Sequence, residues 1–577
     1  LSTLLERFVA FVEDRTGLLS ALRGIGRTPA PPSARLRLGI GGLVGTLLLV
    51  VIGSGVGLAW HYAPSTTHAW ASVAYLEREL PWGRFTRALH YQGTNALIVG
   101  LALQLFLAAL QGAYRRPREF GWWLSLGLIG LVTLEAMTGA LLPWDEQGYW
   151  ASRVETGIMA SAPVVGRLWQ HLAQGGNDFG HLMLTRYSTL HTVVLPALVT
   201  VVVAMQLLSL RRQGAAPSAG QSNDSHPFAP AGLFAVAVGA FVGAVAVTAL
   251  AVKLGAPLEG PADPSGGYPP RPAWYFRALY ELRRHFEGPL EPVATMLLPG
   301  LAGGLLAALP LLDAGTNDRR RRLVASALGI GLVLAGVSTV FGMRRDAKDP
   351  KYLSMLEDSA KKRDKALKLA AGGVPPEGPL LMLRNTPEER GRKLFSQNCA
   401  GCHPTGQPRD KPKGPDLAGW GGAAWAAGCI AHPGDQRFFG ATPITGMEDY
   451  ASLGETRIHE LAAFVAGLKA HPGVAPDQLP AGLQSGRAAF EAEGCDGCHS
   501  LTAGEENAAP NLNGYASASW LRDLLLAPDG ALFFGDENDM PSYAGKLDDR
   551  QLDDLTAFMD ILAAKDPARP AGARETP

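Results

Sequence analysis

The chain is short of cysteine and shows no excess of either charge, and each shortage excludes something. Five cysteines cannot staple a fold of 577 residues, so a disulfide scaffold is out. Lys+Arg and Asp+Glu number 52 each, for a formal net charge of zero. With no long basic tract either, nothing points to a nucleic-acid partner. Beyond residue 343 long apolar runs are missing, and the remainder reads as water-soluble. The opening stretch LSTLLERFVAFVEDRTG carries several charges and lacks the unbroken apolar core of a cleavable signal, so no export signal is expected ahead of the first membrane span.

What the chain does have is apolar sequence, 47% against 18% charged, gathered into runs at roughly 38 to 60, 92 to 111, 122 to 142, 189 to 210, 231 to 252, 293 to 312 and 323 to 343. A helix needs about 20 residues to cross a bilayer, and a helix satisfies its own backbone in lipid. Seven helical spans are therefore expected. Arg23, Arg27, Arg35 and Arg37 precede the first, and Arg115, Arg116 and Arg118 follow the second. Arg211 and Arg212 follow the fourth, and Arg319 to Arg322 separate the sixth from the seventh. The positive-inside rule puts all four clusters on the cytoplasmic side. An odd number of spans then leaves everything after 343 outside. This describes a multi-pass protein of a bacterial inner membrane, embedded in lipid, with its C-terminal part in the periplasm.

Residues 344–385 pass from charged to Pro/Gly-containing sequence and read as a helical arm and linker. Two similar units follow, 386–470 and 480–565, each with a C-x-x-C-H motif, a GP or AP turn and a terminal amphipathic helix. Cys399 and Cys402 precede His403, and Cys495 and Cys498 precede His499. Cysteines so paired form thioethers to haem while the adjacent histidine ligates iron. Two motifs in tandem predict two covalent haem c groups, and so an electron-transfer protein. The alternative, a zinc or redox site, would usually want another cysteine or histidine pair nearby.

A sixth ligand is expected from a loop before each last helix: Met447 in ITGMEDY, with His432 as its rival, and Met540 in NDMPSY. Thioether ligation raises the haem potential. The Met-Pro-x-aromatic context of Met540 resembles the small class I cytochromes c. Gly414-Pro415-Asp416-Leu417 and Pro510-Asn511-Leu512 resemble that family's loop along the haem edge. Cys429 reads as a buried thiol.

The membrane part also carries a pattern. ASVAYLERELPWGRFTRALH, YRRPREF, GALLPWDEQGYW and LTRYSTLHTVVLP make residues 1–215 resemble the four-helix cytochrome b of the chloroplast-type cytochrome bf complex. EGPADP and PAWYF make residues 216–343 resemble that complex's three-helix subunit IV. The fold implied is all-α: a seven-helix transmembrane cytochrome b-like bundle followed by two small α-helical cytochrome c domains. The family holds two b haems between its second and fourth helices, each by one histidine from each helix. His90 and His191 match the outer pair, and Arg87 and Arg186 match arginines near that haem. At the inner level Gln104, fourteen residues after His90, and Gln206, fifteen after His191, stand where the family has its other histidines, with Leu107 in place of an arginine. The expectation is one haem b, at the outer site, and no inner haem b. The two glutamines are then expected to hydrogen-bond each other across the helix pair.

In the family, quinol is oxidised at the outer face beside a Pro-Glu-Trp-Tyr loop whose glutamate is thought to accept a proton. Here that loop is Pro272-Ala273-Trp274-Tyr275, so the carboxylate is absent. Asp145, Glu146 and Glu281 are the nearby candidates for proton acceptance. Tyr149, Trp150, Trp274 and Tyr275 are candidates for an aromatic pocket, though interfacial belts look the same. The function implied is a membrane electron-transfer subunit of a quinol:cytochrome c oxidoreductase-like complex, without a normal quinone cycle. It would work with a Rieske iron–sulfur protein and other subunits, with a homodimer of the complex as one candidate assembly, and deliver electrons to a soluble cytochrome or other periplasmic acceptor. The alternative is a non-catalytic membrane anchor and dihaem c conduit in a larger respiratory assembly.

Overall fold

Lipid supplies no hydrophobic drive between helices, so spans that pack closely need small residues at the contact. The first and fifth spans meet on such a surface. A Cβ at Gly42 would strike the Val236 carbonyl, one at Gly239 would strike the Gly39 carbonyl, and one at Gly243 would stand 3.2 Å from the Leu43 carbonyl. The structure, a computed structural model, describes residues 2–17, 20, 24, 27–162, 164–176, 179–216, 226–286, 288–313, 318–406 and 412–564. Arg23 and residue 565 lie outside them. The chain divides into two compact units, Leu1–Leu380 and Leu381–Pro577.

In the first unit the seven apolar runs are helices: Pro32–Ala59, Gly83–Gln111, Glu119–Leu141, His181–Gln213, Ala231–Leu254, Val293–Leu312 and Asp318–Asp346. The second and fourth begin earlier than their apolar runs, because polar residues continue the helix: Arg87 is buried, ion-paired to Glu77 and bonded to the carbonyls of Ala256 and Pro257. Among the described residues the only paired strands are the two-residue segments Pro29–Ala30 and His226–Pro227. The fourth span is continuous but widened at one turn, where the Leu195 amide bonds back five residues to the Leu190 carbonyl. Pro196 has no N–H for the regular bond, and the resulting π-turn, Leu190–Val194, contains His191. Such turns occur often at functional sites.

The loops after the third and fifth spans are tied together. The Asp145 carboxylate accepts from the amides of Gly148 and Glu259 at 2.8 and 3.0 Å, the Glu146 amide reaches the Gly260 carbonyl, and the Ala262 amide reaches that of Trp144. Thus PWDEQGYW and EGPADP, distant in sequence, form one surface. Asp145 is also the N-cap of the helix Glu146–Ala160.

The second unit contains both C-x-x-C-H repeats around a single core. Each repeat has a leading helix, Pro387–Asn398 or Ala481–Ala492, and a closing helix, Glu455–Gly467 or Asp549–Ala563. The helices pair across the repeats. The first leading helix crosses the second closing helix at Gly391, where a Cβ would strike the Asp554 carbonyl. Arg390 seals this crossing with bonds of 2.7 and 2.6 Å to both Asp554 oxygens, and Phe395 packs on Phe558 with ring centres 5.3 Å apart. At the other crossing a Cβ on Gly486 would lie 2.5 Å from the Phe464 Cβ, Phe464 meets Phe490 at 5.6 Å, and Arg457 pairs with Glu493 at 2.8 Å. Trp420 and Trp520, one from each repeat, meet at 6.1 Å.

Candidate functional site

A histidine that ligates iron through Nε2 must hold its proton on Nδ1, and an acceptor at Nδ1 fixes that choice and the ring's direction. All four sequence-predicted histidine ligands have one. His90 Nδ1 is 2.9 Å from the Val51 carbonyl, His191 Nδ1 3.0 Å from that of Glu135, His403 Nδ1 3.0 Å from that of Pro415, and His499 Nδ1 2.7 Å from that of Pro510. A carbonyl only accepts, so each Nδ1 donates and each Nε2 keeps its lone pair. Glycine makes room at three of the four: a Cβ would stand 2.9 Å from His90 Cε1 at Gly55, 2.6 Å from His191 Cε1 at Gly139 and 2.6 Å from His403 Cε1 at Gly414. The His90 and His191 rings face each other with centres 5.9 Å apart. Two metal–imidazole bonds of about 2 Å each fit a separation of that order. The residues therefore suit haem iron at all three places.

Sequence reading missed Glu135. Its carboxylate lies 3.0 Å from His191 Nδ1, beside the backbone carbonyl that the ring also meets. A lone carboxylate inside an apolar span was the available signal. Arg87 is bound as described above, and Arg186 donates to the Leu172 carbonyl at 2.6 Å.

At the inner level the two glutamines do not bond each other, contrary to expectation. Gln206 donates to Ser125 of the third span at 3.1 Å, and the buried Gln104 Oε1 has no hydrogen-bond partner. Ser125 lies fourteen residues before Gly139. A hydroxymethyl thus stands on the third span at the level equivalent to the one glycine leaves open beside His191, and its hydroxyl takes the Gln206 amide.

The three expected carboxylates have separate fates. Asp145 caps a helix and ties two loops, and burial raises its pKa against the pull of the Glu259 and Gly148 amides. Glu146 accepts from the Trp150 indole at 2.9 Å, and burial pushes it up to about 7. Glu281 is ion-paired to Arg345 at 2.7 and 2.9 Å and lies 3.5 Å from Arg277, in a network that includes Asp346 and Arg271. A fourth, Glu155 on the same surface helix, escaped sequence reading because nothing in its neighbours marks it. Burial alone pushes its carboxyl up to about 7, and its charge adds to the burial that raises the pKa of Tyr275.

The expected aromatics form two pairs. Tyr149 is fully buried and meets Trp150 at 5.3 Å, while Trp274 meets Tyr275 at 5.5 Å. The Trp274 indole donates at 2.9 Å to Asn95, just over one turn beyond His90. The Pro272–Tyr275 loop is in this way joined to the helix that carries His90.

In the second unit Cys399 and Cys429 are buried, Cys402 and Cys495 half-buried, and Cys498 exposed. Burial pushes the Cys429 thiol up to about 12, consistent with a buried thiol. Met447 and Met540 are both half-buried. His432, the rival to Met447, holds Asp449 at 2.8 Å on the surface. No group of three or more His, Cys, Asp or Glu side chains among the described residues is placed to hold a metal ion, so a zinc reading of the C-x-x-C-H motifs lacks its further ligands.

An imidazole pair between apolar spans, joined in one chain to two C-x-x-C-H motifs, defines a membrane electron-transfer protein. A family model described as Cytochrome b/b6/petB matches residues 26–214. Another, described as Cytochrome C oxidase, cbb3-type, subunit III, matches 386–465 and again 481–559. Cytochrome b6 of Gracilaria tenuistipitata var. liui is 34% identical over 202 residues, covering 35% of this chain and 94% of that protein. Cytochrome b6 of Mastigocladus laminosus is 35% identical over 185 residues, covering 32% and 86%. A solved structure titled Hyperthermophilic respiratory Complex III aligns with 63% of this chain and 97% of that one, at 23% identity and a TM-score of 0.49. The chain belongs to the cytochrome b/b6 family, fused to cytochrome c sequence. Those families imply haem b and haem c.

Proposed function

We propose that this chain is the electron-transferring core of a quinol-oxidising complex in a bacterial inner membrane, working with a Rieske iron–sulfur partner and delivering electrons to a periplasmic acceptor. It carries two covalent haem c groups and one haem b, lacks the inner haem b, and runs no normal quinone cycle. Bound haem supplies one-electron storage at these sites. His90 and His191, each with Nδ1 engaged, would hold the b iron, and Cys399, Cys402 and His403 with Cys495, Cys498 and His499 would hold the c haems. Trp274 and Tyr275 form the wall against which a quinol ring would lie.

One observation carries the quinol reading: Glu155, a half-buried carboxyl on the helix Glu146–Ala160 that burial pushes up to about 7, acts electrostatically on Tyr275, whose loop is bonded through Trp274 to the helix of His90. A base poised near the working pH suits acceptance of a hydroxyl proton. Glu155 thereby supplies what Ala273 cannot. The Glu281 carboxylate is already engaged by Arg345 and that of Asp145 by the Gly148 and Glu259 amides, so neither is free to meet a quinol hydroxyl.

A second reading, an anchor whose c haems alone carry current, is favoured by Gln104 and Gln206, which replace the inner histidine ligands, with Gln206 bonded to Ser125. Quinol added to the complete purified assembly separates the two. Reduction of the c haems, blocked by an outer-site inhibitor, is expected; none at all would leave the anchor. Pyridine haemochrome analysis should give two c haems to one b, and equal amounts would overturn the loss of the inner site.

A further inference from the structure

The crossed helices of the second unit carry their loops with them. Tyr543, three residues after Met540, donates its hydroxyl at 2.9 Å to the carbonyl of Asn398, the residue before Cys399, and also meets the Cys399 sulfur. The Met540 loop of the second repeat therefore lies against the haem-binding cysteines of the first. The reciprocal arrangement holds: Tyr450, three residues after Met447, lies close enough to Cys495 and Cys498 to be influenced by both. On the histidine side each repeat keeps its own parts, His403 with Pro415 and His499 with Pro510.

The segments of the two repeats cross just after the Gly414–Leu417 and Pro510–Leu512 loops, while Trp425 still donates to the Asp416 carbonyl and Trp520 to the Asn511 carbonyl, each at 2.7 Å within its own repeat. Gly421 has φ +82°, a Cβ there would sit 2.8 Å from that of Ala516, and Ala516 itself has φ +61°. Two left-handed positions, one per repeat, thus meet where the segments cross. A left-handed alanine is strained and persists only where the surroundings hold it. Beside this crossing the Gly419 amide bonds the Leu562 carbonyl at 2.8 Å, and Lys469 pairs with Asp560 at 2.6 Å, both across repeats.

We infer that the two repeats form one exchanged dihaem unit in which each haem is attached by one repeat and receives its sixth ligand from the other, His403 pairing with Met540 and His499 with Met447. This rests on the haem c reading above and goes beyond it. Neither repeat then makes a complete haem pocket alone, and each methionine acts on the haem of its neighbour.

The test uses the full chain. Cys399→Ser/Cys402→Ser leaves one c haem, at Cys495 and Cys498, confirmed by mass. In that background Met447→Ala should abolish the methionine–iron charge-transfer band and lower the midpoint potential, while Met540→Ala leaves both unchanged; the reverse result overturns the pairing. Should the single-haem chains fail to fold, the two-haem protein decides the exchange. Arg390→Cys with Asp554→Cys should be bridged by a short bifunctional thiol reagent, while Arg390→Cys with Glu460→Cys, the equivalent position in the same repeat, should not. A bridge only in the second pair overturns the exchange. Absence of any haem c from the unmodified chain, by mass, would instead overturn the haem reading itself.

Discussion

Replacing Gly139 by alanine should remove haem b and leave haem c. The new Cβ would stand 2.6 Å from His191 Cε1, where ordinary contact begins at 3.4 Å. Ring or helix must therefore yield by 3.4 − 2.6 = 0.8 Å. Metal–ligand distances tolerate about 0.2 Å, and His191 is already fixed at Nδ1 by Glu135. The protein itself should survive. Overpacking costs about 1–3 kcal/mol, and alanine in place of a helical glycine returns about 1 kcal/mol. Pyridine haemochrome analysis of purified membranes reads the outcome directly, with the c haems as internal standard. Gly130→Ala, on the same span with nothing within 4 Å, is the control and should keep its b haem. A Gly139→Ala protein with full b content and an unchanged spectrum would show that His191 does not bind iron in the observed position.

Other substitutions address the remaining parts. A carboxyl pushed up to about 7 becomes a base as pH rises through that value, so quinol oxidation should climb across neutrality. Glu155→Gln should lose that limb and on the order of 10²-fold in rate; an unchanged pH profile would remove Glu155 from the reaction. Glu135→Gln withdraws a carboxylate from His191 Nδ1, making the imidazole a weaker donor. The b haem midpoint potential should rise in a redox titration, and an unshifted potential would make Glu135 a bystander. Gln104→His with Gln206→His should not restore an inner haem while Ser125 stands beside position 206, whereas adding Ser125→Gly should raise the b-to-c ratio. A second b haem in the double variant would contradict the role given to Ser125. Arg390→Ala leaves the buried Asp554 carboxylate without its bidentate partner. It should destabilise the dihaem unit by about 3 kcal/mol, the low end for such pairs because Arg390 is partly exposed, as read by thermal melting followed at the haem band.

The amino-acid sequence by itself determined the spans, because lipid selects helices by apolar length alone, and it determined the attachment motifs, because thioether chemistry demands fixed local spacing. His90 and His191 were legible for a similar reason: their positions along two helices repeat a known pattern. Tertiary structure decided what depends on residues far apart in the chain. Glu155 gains its properties from burial beside Tyr275, and Glu281 loses its freedom to Arg345, neither of which its neighbours announce. Gln206 bonds Ser125 of the third span and not Gln104, a partner that lies on neither of the two helices its position pointed to. The repeats read as two consecutive domains, since sequence similarity records the order of elements and not their partners. Which closing helix covers which leading helix is set by Gly391 against Asp554 and Gly486 against Phe464, contacts that pair residues of different repeats.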